Sequence, residues 1–519
     1  RDGGFTIFYM GINLGASMSP LLCGYIGETY GWEKGFGLAT FGMLSGLAVF
    51  VLPGAIARFV IMAGAMTAAG GFFYWHPSNF FSTTVNVLVG ISILAAAVVA
   101  WLAIGRGGLP KDAGALPGRG QSLPSSGARA AIYLGALVSV PVFALLVSGF
   151  APLTENQEPL AIVDEDTIQR LQASENGLVQ VAAVVLEEVS KPAGLVLMLA
   201  GAIAFGYLGL EAVRLPRVPR ERMYVVLILT FFSMLFWSFF EQAGSSVNNF
   251  TDRNVDRVLD TARVTTVGQD EVGQTLELQP TQEQLGFTNG GDLFTMKHLD
   301  ALRKEHESNP DFTIDWKVDP QNVGMRVARR VDEIPASAMQ SVNPIYIMVF
   351  GLIFTAVWGY LGARGLEPST PFKFAIGLLQ LGFGFTMFWY GAKSADARGI
   401  VNLGWLFVGY LFQTTGELCL SPVGLSMVAK LSPRHLVSTV MGAWFLATAF
   451  SQFLAAIIAQ FTRVGQGSGS AAGIPVPSET VHIYGDVFGK IGLAAISSAV
   501  ICFALSPLLT KWMHEGERE

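Results

Sequence analysis

Runs of about twenty mostly apolar residues, each long enough to cross a hydrocarbon core as a helix, recur along the whole of this chain. They lie near 5–25, 35–53, 55–75, 84–104, 130–150, 192–212, 223–246, 342–362, 372–391, 402–425, 437–461 and 487–510. The pair 35–53 and 55–75 is divided only by Pro53 and Gly54. Only 14% of the residues are charged, against roughly 25% in soluble domains, so much of the surface must face lipid. The 59 glycines suit helices that pack closely there. An all-α polytopic membrane protein follows.

The loops give an orientation. Lys and Arg concentrate in cytoplasmic loops. Here they form four groups: Arg106, Lys111, Arg119 and Arg129; Arg214, Arg217, Arg220 and Arg222; Arg364 and Lys373; Lys430 and Arg434. Twelve spans put all four on one side, with both termini, and that side is read as cytoplasmic. The opposite side carries the acidic stretch 151–191, with Glu155, Glu158, Asp164, Glu165, Asp166, Glu175, Glu187 and Glu188 against Arg170 and Lys191. It also carries the long polar segment 251–340, an external loop or small domain. Within that segment 293–306 has helical apolar spacing and 311–318 alternates like a strand. His298 and His306 read as solvated surface.

Ionisable groups inside spans are functional candidates by default, because a charge in the bilayer costs several kcal/mol. Glu241, in FWSFFEQAGSS, and Glu417, in FQTTGELCLSPVGLS, both qualify. A carboxylate poised between burial and a nearby cation can load a proton on one side and release it on the other. Packing by hydrogen bonds to a neighbouring helix is the alternative for each. Asn13, between Gly11 and Gly15, either permits a close helix approach or aims its amide into a cavity. Asn343, before Pro344, either caps its helix or does the same. Trp75, Trp101 and Trp512 suit interface belts. Trp237 and Trp444 lie inside spans, and Trp237 shares a face with Glu241, four residues on. Pro422 is expected to open its helix locally, and interrupted helices are common at transporter sites.

Other chemistry is weakly supported. Cys23, Cys419 and Cys502 lie in apolar runs without metal or disulfide spacing, and read as small buried hydrophobes. No HExxH, GxSxG or paired Asp motif occurs in the spans, which argues against an intramembrane enzyme and against a metal site. The net charge of −6 gives no footprint for nucleic acid.

Several long segments carry a family resemblance. FTIFYMGINLGASMSPLLCGYIGETYGWEKGFGLATFGM (5–43) resembles the fifth and sixth core helices of the proton-dependent oligopeptide transporter (POT/PTR) family, within the major facilitator superfamily. FWSFFEQAGSS (236–246) is similar to its seventh helix, SVNPIYI (341–347) to the start of the eighth, and PFKFAIGLL (371–379) to the ninth. GELCLSPVGLSMVAKLSP (416–433) and MGAWFLA (441–447) resemble the tenth and eleventh.

The resemblance implies proton-coupled symport of di- and tripeptides across a bacterial cytoplasmic (inner) membrane by alternating access, with the proton as coupling ion and no cofactor. It implies that Asn13 and Asn343 contact the peptide and that Glu417 pairs with its amino group. Ser421, Trp237 and Trp444 would line the pocket, and Glu241, with Glu417, would serve proton coupling. The family's ExxERF-type first-helix motif and fourth-helix lysine have no counterpart here. Core helices one to four are therefore expected to be missing, leaving a partial major facilitator fold.

The expected organisation is 1–54 as core helices five and six, 55–129 as an inserted helix pair with a cytoplasmic linker, and 130–221 as a second inserted pair. Core helix seven at 222–250, an extracytoplasmic insertion at 251–340 and helices eight to twelve at 341–519 complete it. Competing readings are transport of another small solute, such as an amino-acid derivative or nitrate, and a non-transporting receptor or scaffold that uses the external segment.

Overall fold

In hydrocarbon a backbone finds no water to bond, so an apolar run must satisfy its amides internally, as a helix. The computed structural model describes residues 2–24, 26–27, 31–52, 54–74, 80–106, 126–154, 159–174, 176–258, 264–306, 309, 312–331, 333–462 and 475–514. Pro53, Trp75, Lys111, Arg119, Glu155, Glu158 and Glu175 lie outside the described residues. Each apolar run falls on a helix. In chain order these are α1 (Asp2–Ser19), α2 (Trp32–Val51), α3 (Gly54–Tyr74), α4 (Phe80–Gly105) and α5 (Ser126–Val147). The acidic stretch forms α6 (Glu165–Gln172) and α7 (Gly177–Ser190), followed by α8 (Pro192–Arg214), α9 (Arg217–Phe240) and α10 (Ser246–Asn254). After the short α11 (Met296–Glu305) come α12 (Val342–Ala363), α13 (Thr370–Lys393), α14 (Gly404–Leu431), α15 (Val437–Gln460) and α16 (Pro477–Trp512). Among the described residues, eight helices are long and apolar enough to cross a membrane. The chain is an all-α multi-pass membrane protein.

Glycine sets the packing of α13, α14 and α16. A Cβ on Gly377 would stand 2.8 Å from the Gly416 carbonyl, and one on Gly416 would stand 2.6 Å from the Gly377 carbonyl. Gly382 and Gly492 make a similar reciprocal contact, at 3.1 and 3.3 Å. Backbones this close leave no room for side chains, which is how small residues hold helices together in lipid. Gly11 and Gly15 differ, because an added Cβ at either meets nothing within 4 Å. The close helix approach anticipated beside Asn13 is not made there.

Contacts between helix ends sort the loops onto two faces. On one, Arg222 donates to the carbonyls of Met513 and His514 (3.1 Å each), and Thr510 Oγ1 donates to Ser369 Oγ (2.9 Å). On the other, Gln460 donates to Glu188 (2.8 Å), Ser246 meets Thr462 (3.0 Å), and Val401 pairs with Val255. The acidic stretch and the long polar segment thus share a face, opposite the start of α9 and the end of α16.

Pro422 does not open α14, which runs unbroken from Gly404 to Leu431. A proline removes one amide donor, and the helix continues through it, with neighbouring groups packed closely on Gly416 and Gly424 to either side. The interruption lies instead at Glu241–Gly244, a 3₁₀ turn between α9 and α10. The Trp512 ring lies 6.1 Å from that of Tyr224. Trp101 lies under the Arg58 guanidinium at 4.2 Å.

Between α10 and α12 the chain folds into a module with its own core. Strands β1 (Thr265–Thr266), β2 (Thr275–Leu278), β3 (Thr288–Asn289), β4 (Asp292–Leu293), β5 (Ile314–Lys317) and β6 (Arg326–Val327) pair as three antiparallel ribbons, β1 with β6, β2 with β5 and β3 with β4. Leu278, Leu299, Trp316 and Met325, each fully buried, pack beneath them with Phe294. The helical and alternating patterns seen in the sequence correspond to α11 and β5. His298 is exposed, whereas His306 stacks on Phe312 at 4.2 Å. Outside its core the module is tied to the α13–α14 loop by alternating charges. Arg398 bridges Asp396 (3.0 Å) and Glu283 (3.2 Å), and Arg326 bridges Glu283 (2.8 Å) and Asp256 (2.9 Å).

Candidate functional site

Three helices bring polar groups to one point. Glu417, on α14, is 3% exposed. Such a carboxylate needs donors, because burying it unpaired costs several kcal/mol. Tyr9, on α1, donates its hydroxyl to Oε1, and Asn343, on the first turn of α12, donates Nδ2 to Oε2 at 2.9 Å. The same Nδ2 donates to Thr414 Oγ1 at 3.0 Å. The Thr414 hydroxyl is fully buried and donates to the Tyr410 carbonyl at 2.7 Å. The helical offset explains the set: Tyr410, Thr414, Glu417 and Ser421 follow one face of α14 at steps of three and four.

Four of the residues singled out in the sequence meet around this point. Glu417 and Asn343 bond directly. Asn13, 6% exposed, bonds the Tyr9 carbonyl through Nδ2 at 2.9 Å, and its side chain and that of Ser421 neighbour the Tyr9 hydroxyl. The capping alternative for Asn343 is not what the structure shows, since its amide turns to Glu417 and Thr414.

The other three lie apart from this cluster. Glu241 heads the 3₁₀ turn after α9, half-buried, beside the Gln452 amide of α15 and near enough to Glu417 for the two carboxylates to repel. Its neighbour Gln242 is fully buried and locks the turn to α15 by donating to the Ala455 carbonyl at 2.9 Å. Trp237 packs edge-on against Phe240, with ring centres 5.1 Å apart. Trp444 is 7% exposed and presses on Gly424, where an added Cβ would come within 2.6 Å of the indole.

Tyr9 and Thr414 were not visible as site residues in the sequence. A tyrosine in an apolar run reads as packing, and threonine is ordinary in membrane helices. The available signal was spacing: Tyr9 lies four residues before Asn13, and Thr414 three before Glu417.

The arrangement can do two kinds of chemistry. A buried carboxylate with two donors already in place can accept an ammonium group or exchange a proton. The amides and hydroxyls around it can orient a small polar ligand. Among the described residues no group of three or more His, Cys, Asp or Glu side chains is placed to hold a metal ion.

The family model described as PTR2, POT family, matches residues 1–68 and 321–474. Over 183 residues the chain is 37% identical to "Dipeptide and tripeptide permease B" of Aeromonas hydrophila subsp. hydrophila, covering 35% of each protein. Over 473 residues it is 24% identical to "Peptide transporter YePEPT" of Yersinia enterocolitica, covering 90% of this chain and 62% of that one. The chain thus spans about a third of the length of the dipeptide and tripeptide permeases it matches. A crystal structure of "peptide transporter POT" aligns with a TM-score of 0.46 and 22% identity, over 99% of this chain and 69% of the other.

Proposed function

From the match of residues 1–68 and 321–474 to the POT family model we propose that this chain is a member of that family and serves proton-coupled symport of di- and tripeptides. The process is alternating access across a bacterial inner membrane, in a major facilitator arrangement, with the basic loops and both ends of this chain cytoplasmic. The relatives named as peptide permeases and a peptide transporter support the substrate class.

The observation that carries the reading is the Glu417 carboxylate, buried where α1, α12 and α14 meet and shared by Tyr9 and Asn343. Glu417 takes the α-ammonium of the peptide. Asn343, Asn13 and Ser421 border the same space and orient the ligand, and Trp237 and Trp444, farther from Glu417, line the rest of the pocket. Glu241, half-buried at a break in its helix and electrostatically coupled to Glu417, carries the driving proton. When either carboxylate changes charge, the other feels it, which links proton and ligand. A glutamine at Glu417 keeps the shape and loses the charge.

The test is uptake of Ala-Ala into proteoliposomes under an imposed proton gradient. Glu417→Gln is expected to abolish it, because a charge-assisted contact contributes roughly twice what a neutral one does and no second carboxylate of this cluster replaces it. Uptake by Glu417→Gln at the wild-type rate would rule out the role assigned to this carboxylate.

A further inference from the structure

At the end of α13 nearest the external module, two opposite charges face one cavity and neither is paired. The cavity, about 370 Å³, lies between the last turn of α13 and the first turns of α16, and is lined by Trp389, Lys393, Asp396, Ser478, His482 and Asp486. That volume is at the small end of ligand sites. Asp396 is already engaged, by Arg398 at 3.0 Å and by the Ile400 amide at 2.8 Å. Among the described residues Lys393 meets no carboxylate, and Asp486 no cation, within ion-pair distance. Lys393 lies instead over the Trp389 ring at 4.3 Å. The membrane boundary crosses the same place. His482, Asp486, Leu493 and Val500 follow one face of α16 at helical spacing, and all four are exposed. That face is polar at the first two and apolar from Leu493, about 10 Å further along the axis. Phe383 and Tyr390, two turns apart on α13, are exposed as well. Trp389 lies against Gly489, where an added Cβ would come within 2.9 Å of the indole, and tryptophan is enriched at the boundary between hydrocarbon and water. The cavity therefore lies at headgroup depth, above an apolar face.

We propose that this cavity holds the headgroup of a phosphatidylethanolamine-type lipid from the leaflet on the module's side. Lys393, which can only donate, and the ring N–H of His482 take the phosphate. Asp486, which only accepts when ionised, takes the primary ammonium. The acyl chains follow the exposed face of α16 past Leu493 and Val500. A zwitterion satisfies both charges at once. A purely anionic headgroup leaves Asp486 unpaired, and a quaternary ammonium offers it no N–H. The site shares no residue with the Glu417 cluster, so it stands apart from the transport reading.

The experiment titrates the purified protein in detergent with dioleoyl-phosphatidylethanolamine and with dioleoyl-phosphatidylcholine, and reads the affinity of the first bound lipid by native mass spectrometry. The two lipids share phosphate and chains and differ in the N–H donors of the ammonium. Wild type is expected to prefer the ethanolamine lipid by about tenfold, the worth of one hydrogen bond to a charged group. Asp486→Ala should bring that ratio to near one. Lys393→Met, which keeps an apolar stem over Trp389, should weaken both lipids by about the same factor and preserve the ratio. A purely structural effect of Asp486→Ala would weaken both lipids alike. Equal affinity of wild type for the two lipids, a ratio unchanged in Asp486→Ala, or unchanged binding of both in Lys393→Met overturns the proposal. Glycerophosphoethanolamine, the same headgroup without chains, separates a lipid from a soluble phosphate ester. At millimolar concentration it should leave the bound lipid in place, and displacement would overturn the assignment to a lipid.

Discussion

Replacing Arg257 by methionine should unlatch the neck of the external module, and the size of the effect follows from what the guanidinium touches. Arg257 is 2% exposed and pairs through Nη2 with Glu333 at 2.7 Å and Asp252 at 3.0 Å. It also donates to the backbone carbonyls of Thr251 and Ile334, so it ties the strand entering the module to the one leaving it. Burial pushes the Glu333 carboxyl up, but Arg257 and Arg303 together outweigh burial and hold it below the ordinary glutamate range. Removing one partner of a buried pair costs about 3–5 kcal/mol. That is a loss of roughly two to three and a half orders of magnitude in hydrogen-exchange protection at about 1.4 kcal/mol per decade. The amides to watch are Ile334, bonded to the Arg257 carbonyl at 3.1 Å, and Asp256, bonded to the Val401 carbonyl at 2.9 Å. The pH dependence gives a second reading. With Arg257 present, the depressed pKa of Glu333 contributes stability above its unfolded value, about 4.3, and that contribution fades as pH falls through the folded value. In Arg257→Met burial has less opposition, the carboxyl titrates higher, and its charge becomes a burden at neutral pH that acid relieves. The deficit of the variant should therefore be largest near pH 7 and shrink toward pH 4. Unchanged protection at Ile334 and Asp256, or a deficit that does not vary with pH, would refute this account.

Two further outcomes are expected. Val258 and Glu333 form an antiparallel bridge, which puts their backbones about 5 Å apart. Replacing 259–332 by a short Gly/Ser linker should thus leave the helices packed and Ala-Ala uptake largely intact. Loss of uptake by a correctly inserted deletion would favour a receptor-like role for the module. Gly416→Ala drives a Cβ to within 2.6 Å of the Gly377 carbonyl, so melting in detergent should fall by an amount corresponding to about 1–3 kcal/mol of overpacking. Gly442→Ala, where nothing lies within 4 Å, should leave melting unchanged.

The helices were legible in the sequence because crossing a membrane is a local requirement of length and apolarity. The alternation of basic and acidic loops was legible for a similar reason, since charge in short loops is itself the determinant. The break at Glu241 was harder to place. Pro422 looked like the interruption because it lacks a donor, yet α14 continues through it. At Glu241–Gly244 no proline marks the change to a 3₁₀ turn, and the locking contact comes from Gln242 to a carbonyl of another helix. Trp444 carried an equally ambiguous signal. An aromatic inside a span suits a pocket wall or a packing face, and only the partner, Gly424 on α14, shows which surface it presses on.

The polar cluster shows where more could have been read. Glu417 and Asn343 stand out because each is expensive in lipid, but expense also predicts company. A carboxylate buried among helices must find donors, and its own helix offers them only at offsets of three and four. Walking that face from Glu417 reaches Thr414 and Ser421. The same walk from Asn13 reaches Tyr9, which closes the cluster by donating to Glu417 from another helix. What the walk cannot supply is the sense of each bond. That comes from counting protons: Thr414 has one and gives it to the Tyr410 carbonyl, so Asn343 is the donor to both Thr414 and Glu417.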